Sequence, residues 1–443
     1  MTLPAISAMF RLLIRRGKFN SACGSASNLM LRLDLRLPRT LALVAALVLG
    51  CLSSSPATGA ALGSNAEPTS QVRSDPDRNC PPRNDLDAAL GNASALMSQA
   101  RNQDAAQVLE PLAHMNCDAR ASLLLAATFD GQGDELKATA VLERAHSVWP
   151  SNNSIAASLA RVYLASGQKD QAVKALAHFR PTAQTPEQEL EMAVVVYLAT
   201  NQLLSAQRVA EEDLKFYPSV HSLLLVANAL QMQGRYPDVN RLLGAKRGAY
   251  PDSPEFFITL AESEFDASIY PASREDLQHA IALNPNLYQA HYLLGNVLSR
   301  INDVDGAMTE YRLAINLAPD QPRTYYQMAL VLRSKEDEAG EQQALEQALA
   351  ADNQYAPAHC ELGRILLEAH HPADAVGHLL LAIQYNPRLE SAYFQLVKAY
   401  TALGEKDKAE QMVQRLQAVR KENRPTQNSK SLSGSTADES ATK

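Results

Sequence analysis

Tryptophan occurs once in this chain of 443 residues and phenylalanine nine times, although 46% of the residues are apolar. A large core is therefore available, but it is not an aromatic one. Catalytic signatures are also missing. No G-x-S-x-G elbow, no glycine-rich loop of the kind that cradles phosphates and no C-x-x-C pair occurs. The chain carries no strong positive charge: the formal net charge is −7, which argues against general nucleic-acid binding. Long apolar runs are absent too. The longest, Leu41 to Leu52, falls short of the roughly 20 residues needed to cross a bilayer.

What that run does have is the layout of an export signal. Arg32, Arg36 and Arg39 precede it and the small-residue stretch SSSPATGAA follows it. Residues 1–60 are expected to be a signal, cleaved near Ala60, with Met30 as an alternative start and the preceding residues as an extension. Cys51 follows Val48-Leu49-Gly50, which resembles the lipobox of bacterial lipoproteins and makes Cys51 a candidate for lipidation. The other reading is one more apolar residue of the signal core. Residues 61–84 and 421–443 are rich in Ser, Pro, Asn and charge without an apolar period, and read as a flexible linker and a polar tail.

The few cysteines point the same way. Cys80 lies just before the first expected helix and Cys117 just after the second, and an antiparallel helix pair brings its outer ends together. A disulfide there would contribute about 3–4 kcal/mol by the chain-entropy argument and fits an oxidising compartment. Two free thiols are the alternative. Cys360 falls within a helix and is expected to be packed or groove-lining.

Between residues 85 and 420 the chain is periodic. Pro150, Pro218, Pro251, Pro285, Pro319 and Pro387 stand one or two units of about 34 residues apart. Helix-starting chemistry follows them, as in Ser151-Asn152, Asp252-Ser253-Pro254 and Asp320-Gln321-Pro322. Within each unit two amphipathic helices flank a turn carrying Gly or Asn. The clearest unit runs from Tyr288 to Asp320, with Leu294-Gly295, Ala307, Tyr311, Ala314 and Pro319. This resembles the tetratricopeptide repeat, in which small residues sit where paired helices cross closely. The resemblance covers about ten repeats and implies an all-α, right-handed α-solenoid of stacked antiparallel helix pairs.

Some units depart from the pattern. Glu341 stands where the second helix usually has a small residue, and Glu264 where an aromatic or aliphatic one is usual; both raise the question of misframing. The first unit carries Pro111 inside its second helix. At the place usual for tryptophan stand Ser122, His291, Tyr325, His359 and Tyr393.

The resemblance implies a groove lined by the first helix of each pair and used to hold an extended peptide or short helix. The helical frame places Tyr292, Asn296, Arg300, Arg323, Tyr326, Arg333, Arg364, Phe394 and Lys398 on that face. This basic and aromatic lining suits an acidic segment or a free carboxylate. Asn296, Arg364 and Lys398 match places used by family members that clamp a terminal carboxylate, whereas Cys360 and Tyr292 depart from that clamp. In the middle units Leu224, Asn228, Ile258, Glu262, Phe265 and Asp266 make the inward positions apolar or acidic. The expectation is a protein-binding scaffold or adaptor outside the cytoplasm, without a cofactor and without catalysis, attached to a membrane only through a candidate N-terminal anchor. Two other classes compete: a stable subunit of an envelope secretion, pilus or polysaccharide-export assembly, and a hydrolase or metal-binding protein. For the last, His370, His371, Asp374 and His378 are the constellation to weigh, because i, i+4, i+8 spacing can share one helix face.

Overall fold

The computed structural model describes residues 80–423; the expected signal, Cys51 and nearly all of the expected linker and tail lie outside them. The described residues form twenty α-helices and no strand. Chain contacts divide them into two compact units, the first ending at Ser268 and the second beginning at Ile269.

The first unit holds α1 (Arg83–Ser98), α2 (Asn102–Met115), α3 (Ala119–Gly131), α4 (Glu135–Val148), α5 (Asn153–Ala165), α6 (Lys169–Ala175), α7 (Glu187–Ala199), α8 (Leu203–Phe216), α9 (Val220–Met232), α10 (Tyr236–Gly244) and α11 (Pro254–Asp266). In the second are α12 (Tyr270–Leu283), α13 (Tyr288–Arg300), α14 (Val304–Leu317), α15 (Pro322–Ser334), α16 (Glu338–Ala351), α17 (Ala356–Glu368), α18 (Pro372–Tyr385), α19 (Glu390–Ala402) and α20 (Lys406–Asn423). Helix thus begins and ends slightly outside the span expected from the repeat pattern.

The repeat is fixed at the turn between the two helices of a pair. One residue there adopts the left-handed conformation, at Ala100, Gly133, Gly167, Asn201, Gly234, Ser268, Asn302, Glu336, His370 and Gly404, each 33 or 34 residues after the last. Only four of these are glycine, the residue that takes this conformation without a Cβ penalty. Side-chain caps start several of the helices that follow a turn: Asn152 accepts from the Ile155 amide, Ser253 from Phe256, Asp303 from Gly306 and Asp337 from Gly340.

First and second helices differ in burial. The first helix α13 buries Tyr288 and an unbroken run from Ala290 to Leu298, whereas α18, a second helix, buries only Ala375, Leu379 and Ala382. First helices also touch the next first helix along each unit, as α5 does α7 and α17 does α19. Each unit is therefore a stack with one wall of first helices. Where paired helices cross, the small residue is obligatory. A Cβ built on Gly295 would lie 2.5 Å from the Tyr311 ring, and one on Gly363 would lie 2.6 Å from Leu379.

The frame holds where misframing was in question. Glu341 lies on α16 and is 3% exposed. Pro111 is accommodated inside α2. The frame does shorten in two places of the first unit. α6 ends at Ala175, because Pro181 stands where its last turn would run and disfavours helix at the residue before it. The segment that replaces it is clasped rather than loose. Asn153 donates to the Arg180 carbonyl at 2.7 Å and accepts from the Arg180 amide at 3.0 Å, while Phe179 is buried.

Candidate partner-binding face

A slot recurs along the second unit at the register usual for tryptophan. His291, Tyr325, His359 and Tyr393 each direct their polar tip to a backbone carbonyl six residues earlier. The acceptors are Pro285, Pro319, Asn353 and Pro387, at 3.0–3.1 Å. A carbonyl only accepts, so His291 and His359 both carry a proton on Nε2. Their other nitrogens differ. His291 Nδ1 lies 2.6 Å from the Glu310 carboxylate, a contact that favours a proton on that nitrogen as well. The bond to Glu310, chiefly, and then the Pro285 carbonyl raise its pKa above the ordinary value. His359 Nδ1 instead faces His378 Nδ1 at 3.0 Å. The ring centroids are 5.3 Å apart, so the two nitrogens point head-on. That is the geometry of an N–H···N bond, not of two lone pairs converging on an ion.

The expected lining residues separate into three groups. Tyr292 and Asn296 are buried and committed inside the unit, a correction to their expected place on an open face. Tyr292 stacks on Tyr288 with centroids 5.9 Å apart, and Asn296 Oδ1 accepts from the Tyr311 hydroxyl at 2.9 Å. Arg323 packs over both Tyr288 and Tyr292 and donates to the Tyr288 hydroxyl.

A second group is ionic. Arg364 is only 16% exposed and donates from Nε to Glu361, from Nη1 to Glu368 and from Nη2 to Glu341. Arg333 joins it through Glu361 at 2.7 Å. Burial, above all, pushes the Glu341 carboxyl up, and Arg364 pulls it back. Two arginines and three glutamates thus replace the basic patch expected here, because a half-buried guanidinium is stable only when its donors are matched. The small-residue place that Glu341 occupies now has a reason: its carboxylate reaches the first helix of the next pair.

The third group stays open. Phe394 is 45% exposed on α19 with Lys398 Nζ 4.8 Å from its ring centre. Arg300 is exposed at the end of α13, and Tyr326 meets Tyr355 edge-on at 5.8 Å. Beside this group Cys360 is buried and its thiol reaches the Ser391 hydroxyl at 3.3 Å. The histidine constellation does not assemble. His370 is the left-handed turn residue, His371 precedes α18, and His378 turns to His359. Among the described residues no group of three or more His, Cys, Asp or Glu could hold a metal, and no helix is long and apolar enough to cross a membrane.

Two tetratricopeptide-repeat family models match the chain, over residues 131–194 and 258–322. Together with the 34-residue turn register, these settle the family. The chain is a tetratricopeptide-repeat protein. A curated relative, the BBSome complex member BBS4 of Bos taurus, is 24% identical over 163 residues, covering 36% of this chain and 31% of the relative. The chain thus spans about a third of that relative. Among solved structures, yeast Tom70 matches at 13% identity and TM-score 0.40 over 75% of this chain and 91% of its own. YrrB, described as a TPR protein with an unusual peptide-binding site, matches at 15% and 0.32 over 41% and 93%.

In the first unit of this tetratricopeptide-repeat protein one expected feature forms and another was concealed by the repeat pattern. Cys80 and Cys117 form a disulfide with Cα atoms 5.8 Å apart, tying the start of α1 to the end of α2. Asp213 stands in the register that holds Ala145, Ala280, Ala314, Ala348 and Ala382 elsewhere, fully buried, and neither carboxyl oxygen has a hydrogen-bond partner. Burial, then the nearby Glu191 and Glu187, push its pKa up to about 7, against His221. His221 itself sits 3.0 Å from Glu191, which raises its pKa. An acid in a row of alanines was the available signal. Asn228 and Ile258, expected to face inward into a groove, are buried.

Proposed function

We propose that this protein is a non-catalytic scaffold that holds a partner polypeptide against the first-helix wall of its second unit. The observation that carries the reading is the open group on that wall. Phe394, Lys398 and Arg300 project from first helices without being needed to close the core, while their neighbours are fully committed. An exposed aromatic ring beside cationic side chains offers apolar area at small entropic cost and a counter-charge for a carboxylate. The guest that suits it is an extended segment with an apolar residue and an acidic one. Its charge preference is weaker than a basic groove would give, because Glu341, Glu361 and Glu368 neutralise most of the arginine charge.

The proposed setting is outside the cytoplasm, reached through the N-terminal signal. The Cys80–Cys117 bond supports it, since such a bond persists in oxidising compartments. The test is crosslinking capture in the native host with a photoreactive residue at Ser391, comparing the native chain with Phe394→Ala and Lys398→Glu. Loss of the crosslinked partner in both variants, with helicity unchanged, is expected. Equal capture by all three would overturn the assignment of this face.

A further inference from the structure

The recurring slot of the second unit is filled from the second helix in three of its four pairs. Against His291, His359 and Tyr393 the register 19 residues later places Glu310, His378 and Met412. Against Tyr325 it places Ala344. Beside that place an open groove of about 420 Å³ lies between α14, α15 and α16, with Ala344 in its lining. That volume falls within the range of pockets that take ligands.

The lining is of two kinds. Met308, Met328, Leu332 and the Tyr325 ring make an apolar floor, and thioether side chains adapt to varied shapes. The rim carries Arg312, Asp337 and the carboxamides of Asn316, Gln343 and Gln347. Carboxamides both donate and accept, as a peptide backbone requires. The two rim charges are unequal in availability. The Asp337 carboxylate is taken by the Gly340 amide at 2.9 Å, whereas no carboxylate among the described residues pairs with Arg312. An anion is therefore the complement of this edge.

We propose that this groove is a second docking site, which takes one large apolar side chain of a partner polypeptide next to an acidic residue held by Arg312. The site lies on the second-helix side of the unit, apart from Phe394 and Lys398, so it goes beyond the first-helix reading and stands or falls separately. It supplies a residue from the partner where the chain itself has only Ala344.

The test follows the methyl resonances of Met308 and Met328 in the full chain, labelled at methionine, on titration with Ac-Asp-Phe-NH2, Ac-Asn-Phe-NH2 and Ac-Asp-Ala-NH2. Saturable shifts with Ac-Asp-Phe-NH2 are expected, with affinity about threefold weaker for the Asn peptide, as an exposed ion pair allows, and no shift with the Ala peptide. Ala344→Met, which copies Met412 of the last pair, should abolish the response, and Arg312→Gln should erase the Asp-over-Asn preference. Arg312 is exposed, so its variant reads even if Ala344→Met misfolds. Undiminished shifts in folded Ala344→Met, an Asp preference that survives Arg312→Gln, or no shift with Ac-Asp-Phe-NH2 at millimolar concentration would each overturn the proposal.

Discussion

The two units keep one register and fill it differently. In the second, the tryptophan place is held by side chains with a polar tip, tied each time to the carbonyl of the turn that precedes it. In the first, the same register runs from Ser122 through Ala156, Leu190, Leu223 and Phe257, and all but Ser122 are simply buried apolar groups. Second helices differ in the same sense. α14, α16 and α18 are each 14 residues long, whereas α6 has seven and α10 nine. A helix-pair stack can thus be held in step either by one repeated polar tie or by apolar contact with local repairs, such as the Asn153 clasp and the disulfide. The irregular unit depends on its repairs, and the regular one on its period.

The largest effect should come from removing such a repair. Cys80→Ser with Cys117→Ser opens a loop of 37 residues and should cost about 3–4 kcal/mol. In a repeat stack the loss stays near its site. Amide exchange should therefore quicken in α1 and α2 and stay unchanged from α13 to α20. A uniform loss across both units would mean that they unfold as one cooperative block, and the contrast drawn above would fail.

Asp213 sharpens the comparison by pH. Its folded pKa lies above its unfolded value, so the folded state holds a proton that the unfolded chain releases. The sign follows: stability is full below about pH 4, falls as pH rises, and levels off above about pH 7. His221 adds to the same trend, since its raised pKa also loses stability as pH rises. Asp213→Ala restores the residue of the sister repeats and should stabilise the first unit by about 2 kcal/mol at pH 8. At pH 4 it should do little. Melting curves at the two pH values read this directly, and a variant that melts no higher at pH 8 would show that Asp213 is solvated or paired.

These features also mark how much the residues disclose before any coordinates. The period was legible because proline and the helix caps act locally: Asn152 and Ser253 cap the helices their positions suggested. Helix pairing followed from it, since the small residues at Gly295 and Gly363 can only serve a close crossing. The face was less legible. A helical frame gives direction but not depth, so Tyr292 and Asn296 share the direction of Arg300 and yet lie beneath other side chains. Charge counted along one helix also hid the pairing of Arg364 with Glu341, which comes from a different helix. The short α6 was hidden for a further reason: Ala172 and Leu176 keep the pattern to the point where Pro181 stops it.

The smallest expected effect bears on the turn register itself. Six of its ten left-handed residues are not glycine, and three of these, Glu336, His370 and Asn302, lie in the second unit. Asparagine tolerates the conformation, while glutamate gains nothing from it. Glu336→Gly removes a Cβ penalty of about 1 kcal/mol but enlarges the entropy of the unfolded chain, so the net gain should be about 0.5 kcal/mol. Asn302→Gly, with less strain to relieve, should be nearly neutral. The difference between the two variants isolates the backbone contribution, because both sit at the same place in successive pairs. If Glu336→Gly lowers the melting temperature instead, the side chain must make a contact worth more than the strain. The second unit would then owe its regularity to its surface as well as to its register.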